Sequence, residues 1–294
     1  MFKKNAIAVQ ELAKEFMGLN TGEKVETIKY YSNTLNLSVG TISKAIKEIE
    51  TDKGVKLEKK GHLGTFLVLQ DYKKLWSLSG LKNIICVMPL PYLKRYEGLA
   101  SGIKKSMGDN LYFAYMRGAG TRIKFLESDN YHCAILSKLA AIEYIKENRQ
   151  IKIAFEFGKK TYMGEHVIVH RGEPIRKIGI DRNSKDHEIL TKMNFQKNEN
   201  CEFIDINYSE IMSLLKEKKI DAAIWNLDNL NEAKLDVPYI KIKEDEYTKL
   251  LEEAVIVIKK ENMWLENYLK KVLNKKNIIK HQNEVIKGDV IPTY

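Results

Sequence analysis

The sequence contains few cysteines, and none of them are paired along the chain. Cys86, Cys133 and Cys201 are odd in number, lie far apart, and each falls in an apolar run. Zinc sites and dithiol redox motifs instead place cysteines a few residues apart. We therefore expect three buried thiols, no metal centre and no cofactor.

Long hydrophobic runs are also missing. No stretch approaches the ~18 uncharged apolar residues that a membrane-spanning helix requires. Near the N-terminus, Lys3 and Lys4 are followed by Glu11, Lys14 and Glu15, which interrupt the apolar core of a signal peptide. The GxGxxG and P-loop patterns of nucleotide sites are absent as well. We expect a cytoplasmic protein with no membrane partner.

Arginine is absent from the first 90 residues, although the formal net charge of the chain is +10. A positive charge favours polyanionic partners without identifying one. The 294 residues are enough for two domains. Because only the later part of the chain combines arginine with lysine, we expect the two domains to deal with different anions.

The segment from Leu35 to Phe66 has the order of a winged helix-turn-helix. Helical spacing of Val9, Leu12, Ala13 and Phe16 predicts a preceding amphipathic helix. Thr27 is suited to cap a second helix with Ile28, Tyr31 and Leu35 on its buried face, and Asn36 and Leu37 would form the turn. Ser38 is suited to cap a third helix, which Gly54 would end. Its inward stripe would consist of Ile42, Ala45, Ile46 and Ile49. VKLE and TFLVL then predict two strands around KKGHLG, the wing.

With that stripe inward, hydroxyl and lysine side chains face outward. The start of this helix enters the major groove in helix-turn-helix proteins, where Thr41 and Ser43 would bond base edges and Val39 would touch a thymine methyl group. Lysines would meet phosphates, and the glycines beside His62 would let the wing approach the minor groove. The predicted DNA-binding residues are Ser38, Val39, Thr41, Ser43, Lys44, Lys47, Lys59, Lys60, His62 and Gly64.

This segment resembles the GntR-type winged helix. Leu37–Ser43 stands where that family has a Val-Ser-Arg-x-Thr-Val-Arg-like helix start, and Lys60–Phe66 where it has an Arg-Gly-x-Gly-Thr-Phe-like wing. Val39 and Ser43 replace residues that are often arginine in the family. The resemblance therefore implies DNA binding with weaker or more A·T-tolerant readout.

Beyond residue 82, apolar strand patterns alternate with amphipathic helices, which predicts an α/β domain with mainly parallel, buried sheets. Two similar strands, EHVIVHR at 165–171 and EEAVIVIKK at 252–260, bracket an independent block from Ile178 to Trp225. This arrangement resembles the type 2 periplasmic-binding-protein fold, in which two crossing segments join two lobes. We divide the chain into a head (1–70), a linker with a short helix (71–81) and a two-lobed body (82–294). The first lobe would comprise 82–164 and 255–294, and the second 165–254.

A GntR-like head on such a body resembles the YhfZ-type regulator family. The matching body segments are MPLPYLKRYEGLASG at 88–102 and RGAG at 117–120. The resemblance implies a homodimeric transcription factor that binds double-stranded DNA and whose body binds a small effector between its lobes. It implies no catalytic residues.

Ligands of open α/β sheets lie beyond the carboxyl ends of the strands, where helix N-termini offer free N–H groups. The loop at 117–122 carries two arginines and two glycines, which favours a small anionic metabolite. The predicted ligand-binding residues are Pro91, Tyr92, Arg95, Arg117, Gly118, Gly120, Thr121, Arg122, Ser137, Asp181, Ser184 and Trp225. Each also has a structural interpretation: the arginines could face water, the two serines could be helix caps, and Trp225 could be core packing.

Two other functions remain open. The same fold hosts dehydratases and transferases, and a basic winged helix can bind protein instead of DNA. An enzyme would need paired acid and base groups, yet Glu165 and His166 are adjacent on a strand and so point to opposite faces. His132 and Cys133 fail as a catalytic pair for the same reason. We therefore favour a regulator over an enzyme.

Overall fold

The computed structural model describes residues 2–294, which form two compact units. The first unit contains the residues up to Asn83 together with Glu261–Val272, and the second contains Ile84–Lys260 together with Leu273–Tyr294. No helix in the described part of the chain is both long and apolar enough to span a membrane.

Helices and strands alternate through most of the second unit. The helices are α1 (Phe2–Gly18), α2 (Ile28–Leu35), α3 (Val39–Thr51), α4 (Tyr72–Leu78), α5 (Lys94–Met107), α6 (Ala119–Glu127), α7 (Lys138–Lys146), α8 (Lys185–Phe195), α9 (Ile211–Lys216), α10 (Leu227–Glu232), α11 (Glu246–Glu252), α12 (Met263–Val272) and α13 (Lys275–Lys287). The strands are β1 (Lys24–Val25), β2 (Val55–Lys59), β3 (Thr65–Gln70), β4 (Ile84–Met88), β5 (Leu111–Tyr115), β6 (Cys133–Ser137), β7 (Ile151–Gly158), β8 (His166–His170), β9 (Lys177–Ile180), β10 (Glu202–Asp205), β11 (Ala222–Asn226), β12 (Tyr239–Lys241) and β13 (Ala254–Lys259).

The helix-turn-helix is fixed by two hydroxyl caps. Thr27 accepts a hydrogen bond from the backbone N–H of Tyr30 at 3.1 Å, and Ser38 accepts one from Thr41 at 3.2 Å. Between the two helices, Asn36 adopts φ 52°, a left-handed conformation that asparagine tolerates better than most residues. Both predicted caps and the predicted turn are confirmed.

The recognition helix α3 buries the stripe that the sequence predicts. Ile42, Ala45 and Ile49 are fully buried and Ile46 is partly buried. The prediction for α2 is wrong in one position, since Ile28 is 37% exposed while Tyr31 is buried. Ile28 occupies the first turn of α2, next to the exposed entry loop, so its side chain lies at the edge of the packed face.

The wing is part of a three-stranded sheet with the order β1-β3-β2. The sequence predicts β2 and β3 but misses β1, which is only two residues long and pairs Lys24 with Phe66 and Val25 with Thr65. So short a strand has no alternating pattern to recognise. Gly64 at the wing has φ 104°, a conformation that favours glycine.

The predicted linker is instead part of the first unit. Asp71 caps α4 through the backbone N–H groups of Lys73 and Lys74 at 3.0 and 3.1 Å, and Leu75 and Trp76 are buried. The ring of Trp76 lies 5.2 Å from that of Tyr268 in α12. Two apolar side chains on a short polar segment are too few to reveal burial from sequence.

The division predicted for the first lobe also needs correction, because 261–272 does not belong to it. Helix α12 packs against α1, and the backbone of Trp264 approaches Gly18 so closely that a Cβ there would lie 3.0 Å from its Cα. The apolar face of α12 is ordinary for any amphipathic helix, so its pattern does not tell which unit it covers.

Two five-stranded sheets form the two lobes of the second unit. The first lobe has the strand order β5-β4-β6-β13-β7, and the second has β10-β9-β11-β8-β12. In both, the first three strands are parallel and the fourth runs antiparallel to its neighbours. Each sheet is therefore mixed: four of its five strands run in one direction, as the expectation of mainly parallel sheets requires, and the fourth is reversed.

The antiparallel strand of each sheet is the one that follows a crossing between lobes. Strand β8 enters the second lobe directly from the first, and β13 returns after α11 to lie between β6 and β7. A strand that arrives from the other lobe enters its sheet from the opposite end, which explains its direction. The two predicted crossing segments and the two-lobed fold are confirmed.

The cysteines are free thiols. Cys86 and Cys133 are buried at paired positions of β4 and β6, as expected. Cys201 is only partly buried, contrary to the prediction, since it lies in the turn just before the edge strand β10.

Helices α5 and α13 pack closely because α5 presents glycine at the contact. A Cβ at Gly98 would lie 2.9 Å from the Cα of Gln282 and 3.0 Å from its carbonyl oxygen. Gly98→Ala should therefore lower the free energy of unfolding by about 1–3 kcal/mol through overpacking.

Gly40→Ala is the matched control for this change, since a Cβ at Gly40 in helix α3 meets no atom within 4 Å. It should raise stability by up to about 1 kcal/mol through helix propensity. Urea unfolding followed by circular dichroism measures both variants. Equal effects would show that the α5–α13 contact tolerates a methyl group.

Candidate functional site

The outward face of α3 and the wing together form an exposed surface. Val39 is 53% exposed, and Gly40, Ser43, Lys44 and Lys47 are exposed as well. Thr41 is partly exposed, and its hydroxyl lies 2.8 Å from that of Ser38. Ser38 and Thr41 are therefore already bonded to each other, while Ser43 is open to solvent.

The wing presents two lysines in different states. Lys59 and Lys60 are both exposed. The ammonium nitrogen of Lys60 also lies 3.4 Å from a carboxylate oxygen of Glu58 and 5.2 Å from the ring centre of Phe66. His62 is exposed and Gly64 is partly exposed. Leu63 at the tip is 54% exposed, a feature that the sequence analysis did not single out.

The second unit contains a cavity of about 450 Å³ between its lobes. Its walls come from loops that follow β4, β5, β9 and β10, from the crossing segment before β8, and from the end of β11. A volume of this size suits a small metabolite. Within the described residues, no cluster of side chains is arranged to hold a metal ion.

One wall is formed by the start of α6 and by a buried guanidinium. Arg122 is 3% exposed, donates to the carbonyl oxygen of Met116 at 2.8 Å and to the hydroxyl of Tyr162 at 3.2 Å. Its Nε has no hydrogen-bond partner, and within residues 2–294 it makes no ion pair with a carboxylate. Helix α6 begins at Ala119, and its N-cap residue, Gly118, provides no side-chain cap. Buried donors of this kind are normally satisfied, so this wall is suited to an anion.

The facing wall belongs to the second lobe and carries Asp186, in the first turn of α8. Its Oδ1 accepts a hydrogen bond from the Ser137 hydroxyl at 2.8 Å. Burial raises the pKa of Asp186 to about 6, although Ser137 and Arg122 favour the charged form. The fold therefore keeps a carboxyl group where its ionisation is unfavourable.

Asp181 and His187 shape the loop between β9 and α8. Asp181 accepts from the backbone N–H of Asn183 at 2.9 Å and of Tyr208 at 3.0 Å. His187 accepts from the N–H of Asp181 at its Nδ1, so its Nε2 donates to the carbonyl of Ile224 at 3.1 Å. Burial lowers the pKa of His187 to about 4. The imidazole is thus neutral and structural.

Aromatic rings line the remainder of the cavity. Tyr208 stacks on Trp225 with ring centres 4.4 Å apart, and the indole N–H of Trp225 has no partner among the described residues. The ring centres of Tyr96 and Tyr162 lie 5.4 Å apart, and the ring of Tyr92 packs edge-on against that of Tyr96. Burial lowers the pKa of His166, on the same wall, to about 4.

Most of the predicted ligand residues lie at the cavity wall. Those that line it are Tyr92, Arg117, Gly118, Thr121, Arg122, Asp181, Ser184 and Trp225. Arg117 is exposed at the rim, in contrast to the buried Arg122. Ser184 also caps α8 through the N–H of His187.

The structure places the other four predicted residues away from the wall. Arg95 instead forms an ion pair across the lobes with Asp228 at 2.8 Å, and Ser137 caps α7 while bonding Asp186. Gly120 faces Tyr144, whose hydroxyl would lie 2.8 Å from a Cβ there. Pro91 belongs to the same loop as Tyr92 without reaching the cavity.

Several lining residues were missed by the sequence analysis, including Tyr162, His166, Asp186, His187 and Tyr208. The position of Asp186 two residues after the capping Ser184 was the only available signal. Acidic residues are common in the first turn of any helix, so the position alone did not indicate a site.

Models of known families match both parts of the chain, and the C-terminal one includes the α4 and α12 segments that pack in the first unit. The family model described as YhfZ C-terminal domain matches residues 71–294, and a helix-turn-helix domain model matches residues 20–67. The chain belongs to the YhfZ family. Protein YhfZ of Escherichia coli (strain K12) is 33% identical over 297 residues, covering 99% of this chain and 98% of that protein.

Solved structures extend the comparison to the fold. The crystal structure of YhfZ from Shigella flexneri is 33% identical with a TM-score of 0.66, covering 76% of this chain and 97% of that one. An ancestral arginine-binding protein bound to arginine shares 15% identity with a TM-score of 0.52, covering 70% and 97%. The YhfZ body therefore has the periplasmic-binding-protein fold, and its helix-turn-helix head gives the family the organisation of a DNA-binding transcription regulator.

Replacing Asp186 with asparagine should stabilise the ligand-free protein near pH 8. The folded pKa of about 6 lies above the ordinary value of 3.8 for an aspartate, so ionisation disfavours folding as pH rises through this range. Each pKa unit corresponds to ~1.4 kcal/mol, and partial solvent access reduces the gain to about 1–3 kcal/mol.

The stabilisation should shrink as pH falls through both pKa values and be nearly lost at about pH 3, where the carboxyl is mostly protonated in both states. Unfolding by urea at the two pH values, followed by tryptophan fluorescence, measures the difference. Asp236→Asn, at an exposed position, is the control and should change little. A less stable Asp186→Asn protein at pH 8 would show that the carboxylate contributes to folding.

Proposed function

We propose that the chain is a ligand-responsive transcriptional regulator that binds operator DNA as a homodimer and binds a small molecule with an acidic group between its lobes. The observation that carries the ligand-binding part is the buried Arg122 guanidinium. Its Nε lacks a partner within residues 2–294, and the side chain lies in the first turns of α6, whose start has no side-chain cap. A carboxylate or phosphate in the cavity would satisfy these donors.

The head supports the DNA-binding part of the proposal. The hydroxyl-bearing and basic side of α3 is exposed while its apolar stripe is buried, as major-groove reading requires. Ser43 and Val39 would lie at the bases, and Lys44, Lys47 and Lys59 at phosphates. A dimer would read two related half-sites, and ligand binding would alter their spacing.

Regulation is favoured over catalysis by the state of the cavity histidines. Both ring nitrogens of His187 are occupied by hydrogen bonds within the protein, and burial lowers the pKa of His166 to about 4. Neither is poised as a general base near neutral pH. Turnover of a bound molecule by the purified chain would support the enzyme alternative.

Lysine and hydroxyl substitutions in the head should affect DNA binding differently. Lys47→Ala and Lys59→Ala should each weaken binding to all sequences and reduce the slope of log K against log salt by about 1. Ser43→Ala should lower the preference for the operator over random DNA with the salt slope unchanged.

Fluorescence anisotropy with fragments from upstream of its own gene measures both effects across a salt series. Lys216→Ala, an exposed lysine of the second unit, is the control for net charge. Binding that does not depend on salt, or no protected site in a footprint, would argue for a protein partner instead.

Native mass spectrometry of the purified full-length chain should detect a retained molecule with an acidic group. Arg122→Met should remove it, because the substitution deletes the buried donors, whereas Arg182→Met should not. Arg182 is an exposed arginine paired with Asp205 at 2.6 Å. Equal retention by both variants would exclude Arg122 from ligand binding.

A further inference from the structure

The cavity contains a second charged group without a counter-ion, and it is negative. Asp186 lines the cavity, and its one hydrogen bond in the described structure is the 2.8 Å contact from Ser137 to Oδ1. No lysine, arginine or histidine in the described residues forms an ion pair with it. Its neighbours Lys185 and Glu188 pair with other residues instead, at 2.6 and 2.5 Å.

Asp181 shows what a structural carboxylate looks like in the same loop. Each of its oxygens accepts a backbone N–H, from Asn183 at 2.9 Å and from Tyr208 at 3.0 Å. These bonds fix the loop and leave Asp181 satisfied. Asp186 has no comparable set of donors, although it is held in place by Ser137.

Arg122 and Asp186 lie on opposite lobes and do not form an ion pair with each other. They are still close enough for the guanidinium to lower the pKa of the carboxyl, although burial raises it further. Both side chains also line the same cavity. Burying either charge is unfavourable unless it gains a partner.

The sign of these charges restricts the ligand. A simple anion would pair with Arg122 but would be repelled by Asp186. A simple amine would pair with Asp186 but would be repelled by Arg122. A molecule with a carboxylate and an ammonium group a few bonds apart would satisfy both. The cavity of about 450 Å³ leaves room for a side chain beside the aromatic rings.

We propose that the interlobe cavity binds an α-amino acid, with its carboxylate on Arg122 and the uncapped start of α6, and its ammonium group on Asp186. This inference rests on the proposed ligand-binding function and adds the requirement for an amine. It makes Asp186 a specificity-determining residue. Because the two groups belong to different lobes, the ligand would also connect the lobes.

The test compares ligands that differ only in charge. The full-length chain, dialysed free of retained molecules, is titrated by calorimetry with each of the common L-α-amino acids. Each is paired with the carboxylic acid and with the amine of the same carbon skeleton. At least one amino acid should bind at least tenfold more tightly than both of its analogues, and inorganic phosphate should bind no better than the acid.

Two variants test which residue binds the carboxylate of the ligand and which binds its ammonium group. Asp186→Asn should weaken the amino acid at least tenfold and leave the weak binding of the matched acid unchanged, while Arg122→Met should remove both. Asp236→Asn is the matched control and should bind like the unmodified chain. Melting curves of each variant report whether it is folded.

Three results would overturn the assignment: equal affinity for the amino acid and its acid, unchanged affinity in Asp186→Asn, or binding of none of the amino acids. Binding of an acid that requires Arg122 but not Asp186 would overturn this inference and leave the proposed function standing. Failure of the proposed function would appear separately, as an absence of operator binding with the same protein.

Discussion

The fold of the second unit depends on the two crossings of the chain between its lobes. Strand β8 crosses into the second sheet and β13 returns to the first, and each becomes the antiparallel member of its new sheet. The crossings hold both sheets in one chain path with their ligand-facing loops turned toward each other. The cavity, the buried guanidinium and the facing carboxylate all follow from this arrangement.

The lobes are also joined by polar contacts around the cavity. Arg95 pairs with Asp228 at 2.8 Å, Lys185 with Glu147 at 2.6 Å, and Ser137 bonds Asp186 at 2.8 Å. Exposed ion pairs contribute little to stability. Apolar packing joins the lobes as well, since Leu139 of the first lobe packs with Ile178 and Leu190 of the second. A ligand spanning the cavity would add further contacts between the lobes.

The sequence predicts local features well because helix capping and hydrophobic periodicity depend on residues that are close together in the chain. Ser38, Thr27 and the stripe of α3 were all recognisable from residue type and spacing. The loops at the cavity could also be predicted, since strand ends and helix starts can be read from the pattern. Contacts between distant residues could not: Arg95 meeting Asp228, or Asp186 meeting Ser137, depends on how the lobes face each other.

The charge expected of the ligand also shows which features the sequence could not predict. Arg117 and Arg122 sit in one conspicuous loop, so the sequence indicated an anion. Their different burial and the opposing carboxylate are visible only in three dimensions. The assignment of 261–272 to the first lobe was wrong for a related reason, since the sequence pattern of an amphipathic helix does not indicate which surface the helix packs against.

The membership of α12 in the first unit has a consequence for how the protein can be dissected. The polypeptide passes between the units three times, at 83–84, 260–261 and 272–273. A fragment ending near residue 83 would lack α12 and would expose the apolar surface of α1 and Trp76 that this helix covers. The first unit thus includes residues encoded almost two hundred positions later, and a continuous N-terminal fragment would not contain all of it.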